Sequence, residues 1–472
     1  MIKGKFFSSR TNARVWIIVS VLVLCSLFLF FSQQRRFVVS STPADELSIL
    51  LAGDAIITQP WSHLEEAEFL QLIEEIRGVD VAIVNLEMLI HDFKGYGQAN
   101  SGGTYMAARP KIAYELAWVG FDMAANANNH TFDYGSIGVL ETVENVTKAG
   151  IVIAGAGKDL QNACAPRYFQ HTNGTVALVS ASSSFTEYGK ASHARPDLHG
   201  RPGLNPLTLI AATVSTITRA TAEHLLKMAQ EEGISESDAR ITQSRGGGER
   251  LSFLGQTYQL GDENGTTRTS TINQTDLERN LESIREAEEN ADLVVFSIHA
   301  HSQGQWLTDL AHQAIDEGAD VFFAHGPHQI RPIEIYKGKP IFYSMGDFVF
   351  QNEQIELFPP EFYNTYGLGD DATPEDAQNA RSRGGTRGFP ADRRVWEGFL
   401  TNISFKNGEI TEIRLIPVDM GFGKPVPIRG RPKYADKELG KYIIEYAMNQ
   451  SERYGTEIEY VESENIGLVK IK

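Results

Sequence analysis

Cysteine is nearly absent from this chain of 472 residues, which contains only Cys25 and Cys164. Cys25 lies inside an apolar run, so the remainder keeps one thiol. That excludes an internal disulfide framework and a structural zinc site built on cysteine. Stability must come from an ordinary hydrophobic core, which a chain of this length readily supplies. Basic charge is also scarce. Residues 1–36 carry Lys3, Lys5, Arg10, Arg14, Arg35 and Arg36 and no acid, so the balance moves from −17 for the whole to −23 for the rest. So acidic a body repels phosphate backbones and speaks against nucleic-acid binding. It leaves a small substrate open, because charge at a site can override the general field.

Long apolar runs are missing with one exception. Val15–Phe31 holds no charge and only Ser20, Cys25 and Ser26 as polar breaks. As a helix it spans about 26 Å, slightly short of a ~30 Å hydrocarbon core but workable with snorkelling flanks. Four basic residues precede the run and two follow it, which predicts a single-pass anchor with a cytoplasmic N-terminus and an extracytoplasmic body. A cleaved signal peptide is the rival reading. Its only small-residue site, Thr42-Pro43-Ala44, lies far beyond the run and contains proline. Leu24 before Cys25 argues against lipidation.

The expected organisation is a basic segment (1–14), the anchor (15–31), a linker (32–46), a main domain (47–420) and a C-terminal extension (421–472). Within the main domain, apolar strand-like runs alternate with helical patterns. Leu47–Leu51 reads as a strand ending in a turn at Ala52-Gly53-Asp54. Ser62 to Arg77 reads as a helix with Ser62 and Glu65 as a capping box. Val79–Leu86 is the next strand, Pro110–Val119 a helix and Asp122–Ala125 a strand. Ser136–Ala149 is a helix with apolar Ile137, Leu140, Val143 and Val146. Ile151–Ala154 and Val176–Ser180 are further strands. Residues 183–273, rich in Gly, Pro, Arg and Ser, read as an insertion with one helix near Thr221–Glu232. The alternation resumes with helix Asp276–Glu289, strand Leu293–Ile298, helix Leu307–Glu317 and strand Asp320–Phe323. Two hairpins follow, around Lys337-Gly338-Lys339 and Asn407-Gly408, separated by a long loop at 351–396. This order predicts an α/β layered fold around a mixed sheet, with functional groups at the carboxyl ends of strands.

Polar clusters fall at those ends: Gly53-Asp54, Asn85-Leu86-Glu87, Asn126 to His130 with Asp133, His299-Ala300-His301, and His325-Gly326-Pro327-His328. Taken singly, each can be turn chemistry or a polar face. Together they form a mixed oxygen and nitrogen donor set, which suits Mn, Fe or Zn better than Mg or Ca. One or two such ions would activate water for attack.

The order Gly-Asp, Asn-Leu-Glu, Asn-Asn-His-x-x-Asp-Tyr-Gly, His-x-His and His-Gly-Pro-His, followed by Glu334 to Phe348, resembles the bacterial capsule-biosynthesis CapA, or poly-γ-glutamate biosynthesis, family over roughly residues 47–420. The resemblance implies a four-layered α/β sandwich of the calcineurin-like metallophosphoesterase type with a divalent metal centre. It implies metal ligation by Asp54, Glu87, Asn129, His299, His301, His325 and His328, with His130 as general acid. Asn85, Asp133, Arg201 and Asn205 are the expected substrate contacts. Arg201 stands with Arg195, Arg245 and Arg250 among the insertion's Gly/Pro-rich stretches, where guanidinium forks would match anionic oxygens. The chain departs from the family pattern at Ile56, where phosphoesterases carry a histidine. It also departs at Gly326, in a His-Pro-His position, and at Asp347, where Asn is usual. The expected function is a membrane-anchored metal-dependent hydrolase acting on an anionic cell-surface polymer or a phosphorylated precursor, beside membrane proteins of capsule synthesis. The alternative is a non-catalytic subunit that binds or exports the polymer.

Overall fold

The computed structural model describes residues 46–243 and 248–471. Its main strands and helices are β1 (Glu46–Ile56), α1 (Ala67–Arg77), β2 (Val81–Leu86), α2 (Lys111–Val119), β3 (Met123–Ala125), α3 (Gly135–Lys148), β4 (Val152–Ala154), β5 (Arg167–His171) and β6 (Gly174–Ser182). After the insertion come α4 (Gln274–Glu288), β7 (Leu293–His299), α5 (Gln305–Asp316), β8 (Val321–His325), β9 (Ile333–Tyr336), β10 (Lys339–Phe342) and β11 (Asp347–Phe350). The chain ends with β12 (Glu397–Lys406), β13 (Glu409–Asp419), α6 (Lys437–Ser451), β14 (Ile458–Val461) and β15 (Ile466–Val469).

Two mixed sheets result. The first runs β14-β15-β13-β12-β1-β2-β3-β4, with β11 also beside β1, and the second runs β9-β10-β8-β7-β6-β5. Side chains alternate across each strand, and both faces are apolar. Leu47, Ile49, Leu51, Val81 and Ile83 of the first sheet share one core with Val176, Leu178, Val295, Val321 and Phe323 of the second. The intervening Leu50, Ala52, Ala82 and Val84 turn outward onto α1 and α2 through Leu72, Ile73, Ile112 and Leu116. On the other side Val294, Phe296, Phe322 and Ala324 meet Leu281 and Ile284 of α4 and Leu307 and Leu310 of α5. The layers are therefore helix, sheet, sheet, helix. Strands β1 to β4 run parallel, as do β6, β7 and β8, so their carboxyl ends gather functional loops at one edge.

Several expectations are corrected here. Asp54 does not sit in a turn: β1 continues to Ile56, with a register shift between Ala52 and Asp54. Gly53 permits this, because a Cβ there would lie 1.9 Å from Gly346 O on the neighbouring segment. Ser62 does not cap α1, which starts at Ala67. Glu115 instead accepts bonds from Trp61 N and Ser62 N, both at 2.8 Å. On α3, Ile137 and Leu140 are 48% and 42% exposed, so only the Val143 and Val146 half of the apolar stripe read from the sequence faces the core. Gly135, Gly138, Val139 and Thr142 are buried beside Val146. The insertion holds a five-stranded sheet of 209–217, 239–243, 249–253, 256–260 and 265–272, with helix Arg219–Glu231. Residues 351–396 contain helices Pro360–Thr365 and Pro374–Ser382 rather than a bare loop. The C-terminal segment supplies α6, and its hairpin adds β15 to β13. Residues 15–31 lie outside the described residues, among which no helix is long and apolar enough to cross a membrane.

Beyond β2, short strand Leu89–Ile90 leads to His91, buried against Tyr134 at 4.5 Å and Phe93 at 4.9 Å between ring centroids. Its Nδ1 accepts from Phe93 N at 2.9 Å, and burial pushes its pKa down to about 4 from an ordinary 6.5. The native state therefore binds fewer protons than the unfolded chain between those values, and stability falls as pH drops below about 6.5. Comparing pH 7 with pH 5, wild type should lose about 2 kcal/mol more stability than His91→Asn, which keeps an acceptor and cannot titrate. Urea unfolding of both proteins checks this. Parallel losses in the two proteins would refute it.

Candidate metal centre

The cluster starts with strand ends. Asp54 Oδ1 accepts from Asn85 Nδ2 at 2.6 Å, and Oδ2 accepts from Gly326 N at 2.9 Å. His299 Nδ1 faces His325 Nδ1 at 2.9 Å, and His299 Nε2 faces His301 Nε2 at 3.2 Å. His325 Nε2 meets the Ser297 hydroxyl at 2.8 Å. Glu87 Oε1 lies 3.5 Å from His299 Nε2 and 3.9 Å from His130 Nε2, while Oε2 lies 3.7 Å from His328 Nδ1. His328 Nδ1 donates to Asp347 Oδ1 at 2.8 Å. Donor atoms thus converge in three overlapping groups: Asp54 with His299 and His325; Glu87 with His301 and His328; and Asp54, Glu87, His328 and Asp347. Within each group the atoms lie within 4.8 Å of one another.

Glycine makes this density possible. Gly326 has φ +111°, and a Cβ there would stand 3.0 Å from His299 Nε2 and 3.1 Å from His301 Cδ2. Asparagines brace the third loop. Asn126 Nδ2 and Asn128 Nδ2 each donate to Leu86 O at 2.8 Å, and Asn128 Oδ1 accepts from His130 N at 3.0 Å. His130 Nδ1 donates to Asp133 Oδ2 at 2.7 Å, and Asp133 also accepts from Gly102 N at 2.8 Å and Met106 N at 2.9 Å.

A family model described as bacterial capsule synthesis protein PGA_cap matches residues 48–352. The chain belongs to that family. It is 30% identical to the uncharacterized protein y4sH of Sinorhizobium fredii, across 90% of this chain and 94% of the relative. The PGA biosynthesis protein CapA of Bacillus subtilis is 26% identical over 72% of this chain and 73% of its own length. The capsule biosynthesis protein CapA of Bacillus anthracis is 23% identical over 73% and 70% respectively. Among solved structures, a hypothetical protein from Thermus thermophilus aligns with TM-score 0.38 and 13% identity over 79% of this chain and 99% of its own. A structure titled as a novel phosphatase of Mycoplasma pneumoniae aligns with TM-score 0.36 and 10% identity over 80% and 94%. Likenesses this distant have no bearing on the chemistry of the site.

The electrostatics of the cluster in this family member are set by burial. Burial pushes the Asp54 pKa up to about 7 and holds Glu87 well above the usual carboxylate range. Asp347 is raised by burial too. Burial, then the neighbouring imidazoles, push His325 down to about 3 and His299 well below 6.5, which keeps both rings neutral. At His328 burial opposes the charge, but Asp347, Glu87 and Asp54 outweigh it and raise the pKa to about 10. Both Glu87 oxygens are buried and lack a hydrogen-bond partner, as do Asp347 Oδ2 and Asn129 Oδ1. A buried carboxylate without partners costs several kcal/mol unless a cation offsets it. Neutral imidazoles facing carboxylates fit a divalent transition metal or zinc.

Ten of the twelve expected site residues gather in this region, and two lie elsewhere. Asn205 is wholly buried, donating to Ser180 O at 3.0 Å and Asn280 Oδ1 at 2.8 Å, so it fastens the start of the insertion. Arg201 is exposed and donates to Lys190 O at 2.9 Å within its own loop. Arg195 pairs with Asp197, Arg250 is exposed on a strand of the insertion, and Arg245 lies outside the described residues. Asn85 and Asp133 are committed to Asp54 and His130, which makes them positioning residues. Asp347 was missed as a member of the cluster. Its signal was the departure at Gly346-Asp347-Phe348, and only the pairing of β11 beside β1 sets it opposite Asp54.

Gly326→Ala should force a strained backbone and push against two rings, costing about 1–3 kcal/mol. Denaturant unfolding of the metal-free protein checks it. A loss below about 0.5 kcal/mol would show that the loop yields without strain.

Proposed function

We propose that this chain is a metal-dependent hydrolase of the metallophosphoesterase type, acting on an anionic capsule polymer or its phosphorylated precursor. The observation that carries the reading is Glu87: a fully buried carboxylate with neither oxygen partnered, facing His130, His299 and His328. Asp54, Glu87, His299, His301, His325, His328 and Asp347 would hold one or two ions such as Mn, Fe or Zn, and Asn129 Oδ1 is a further free donor. Such ions, when bound, activate a water and stabilise charge at the attacked centre.

The chain's own residues supply the rest. Asp133, held by two backbone amides, fixes His130 by Nδ1 and turns Nε2 toward Glu87. His130 Nε2 is therefore placed to hold a proton for a leaving oxygen or nitrogen, the role of a general acid. The same arrangement serves a phosphoester or an amide of a γ-linked polymer, and the family names of the two Bacillus relatives favour a polymer setting. The apolar run at 15–31 and its basic flanks support an anchor with the body outside the cytoplasm.

Metal analysis together with turnover of bis(4-nitrophenyl) phosphate tests the reading. Asp54→Asn should lower bound metal and hydrolysis together. His130→Ala should keep the metal and lower kcat by about 10²–10⁴-fold. A metal-free wild type, or hydrolysis indifferent to both changes, would leave the non-catalytic binding role. Protease added to intact cells should digest the body while residues 1–46 persist, and an N-terminus after Ala44 would mean a cleaved signal peptide.

A further inference from the structure

A cleft of about 860 Å³ opens beside the cluster, between the His328 loop and the segment 351–396. Pro327 lines it, and so does Phe389, whose ring stands 5.3 Å from that of His328. Its charged lining consists of Glu353, Arg381, Arg387 and Asp392. Both acids are already neutralised by arginines that do not line the cleft, Glu353 by Arg429 at 2.5 Å and Asp392 by Arg394 at 2.8 Å. Neither lining arginine makes an ion pair or a side-chain hydrogen bond among the described residues. Arg381 Nη1 is buried with no partner, and its guanidinium lies 5.8 Å from the centre of the Phe389 ring. Burial pushes its pKa below the ordinary guanidinium value, with only the Tyr366 hydroxyl acting in the other direction.

A cation left uncompensated inside an acidic protein needs an anion to offset its desolvation. The lining is part apolar, through Phe389, Pro390 and Val395, and offers no spare carboxylate, so it suits an anion carried on an organic chain. We propose that this cleft is an anion subsite of the metal centre, in which Arg381, with Arg387 at its exposed side, takes a carboxylate or phosphate group of the substrate while the bond to be cut lies at the histidine cluster. A guanidinium fork matches either group bidentately. The proposal rests on the hydrolase reading for the second half of that statement and assigns the substrate contacts to 381–387 instead of the insertion.

The test is calorimetric titration of metal-loaded wild type, Arg381→Gln and Arg387→Gln with hexaglutamate and, separately, with inorganic phosphate. Arg381→Gln should weaken at least one probe tenfold or more with metal content unchanged, and the probe affected names the anion. Arg387→Gln, a change at an exposed side chain that leaves folding intact, should weaken the same probe at least threefold. Wild type that binds neither probe, or variants that bind both as wild type does, would overturn the subsite. Binding that depends on Arg381 without any turnover of bis(4-nitrophenyl) phosphate would overturn the hydrolase reading alone.

Discussion

Asp54 is the residue on which the two sheets meet. One of its oxygens takes the amide of Asn85 on the neighbouring strand, and the other takes the backbone N–H of Gly326, which follows a strand of the opposite sheet. Its strand is also paired with β11, where Asp347 stands in register with it. This closeness demands that Gly53 carry no side chain, since Gly346 O occupies the space. Three carboxylates, Asp54, Glu87 and Asp347, are thereby enclosed at the junction of two apolar sheets. Their charge is shielded from bulk solvent, and the histidines of β7, β8 and the loop after β8 are what the fold brings to face it.

The framework and its inserted segments divide the labour. Parallel strands hold Asp54, Asn85, His299 and His325 on rigid backbone, a better base for ligand geometry than loops. Two segments are inserted after strands, at 183–273 and 351–396, where added length disturbs the core least, and the second stands beside the site. The first has its own small core of Ile217, Ala222 and Leu251. The second packs Phe389 against His328 and Phe350 and carries the unpaired Arg381.

Misreadings of the sequence have definable causes. Ser62 and Glu65 have the spacing of a capping box, but Glu115 of α2 competes for the same backbone and the helix starts five residues later. The apolar stripe of α3 points partly to solvent because Gly138 lets the helix lie close to Leu89 and Gly135 lets it meet Gln98, and a close approach buries glycine instead of leucine. Arg201 and Asn205 stand in a stiff Arg-Pro-Gly-Leu-Asn-Pro stretch that resembles relatives, yet their side-chain hydrogen bonds serve the insertion's own path. Asp347 is separated by nearly three hundred residues from the strand it joins, and nothing local to Gly346-Asp347-Phe348 announces that pairing.

The sequence by itself determined the α/β alternation, the strand ends that carry polar clusters, and the carboxylate and imidazole make-up of those clusters. These follow from local rules: a doubly buried strand must be apolar throughout, and Asp, Glu, Asn and His do not collect after such strands without a polar task. Only the tertiary structure decided which clusters share a centre, how β1 runs through Gly53-Asp54, that Asp347 belongs with Asp54, and which arginine is left without a partner. Each of these depends on strand pairing or sheet stacking between residues far apart in the chain, and such contacts are set by the packing of the whole core instead of by neighbours in sequence.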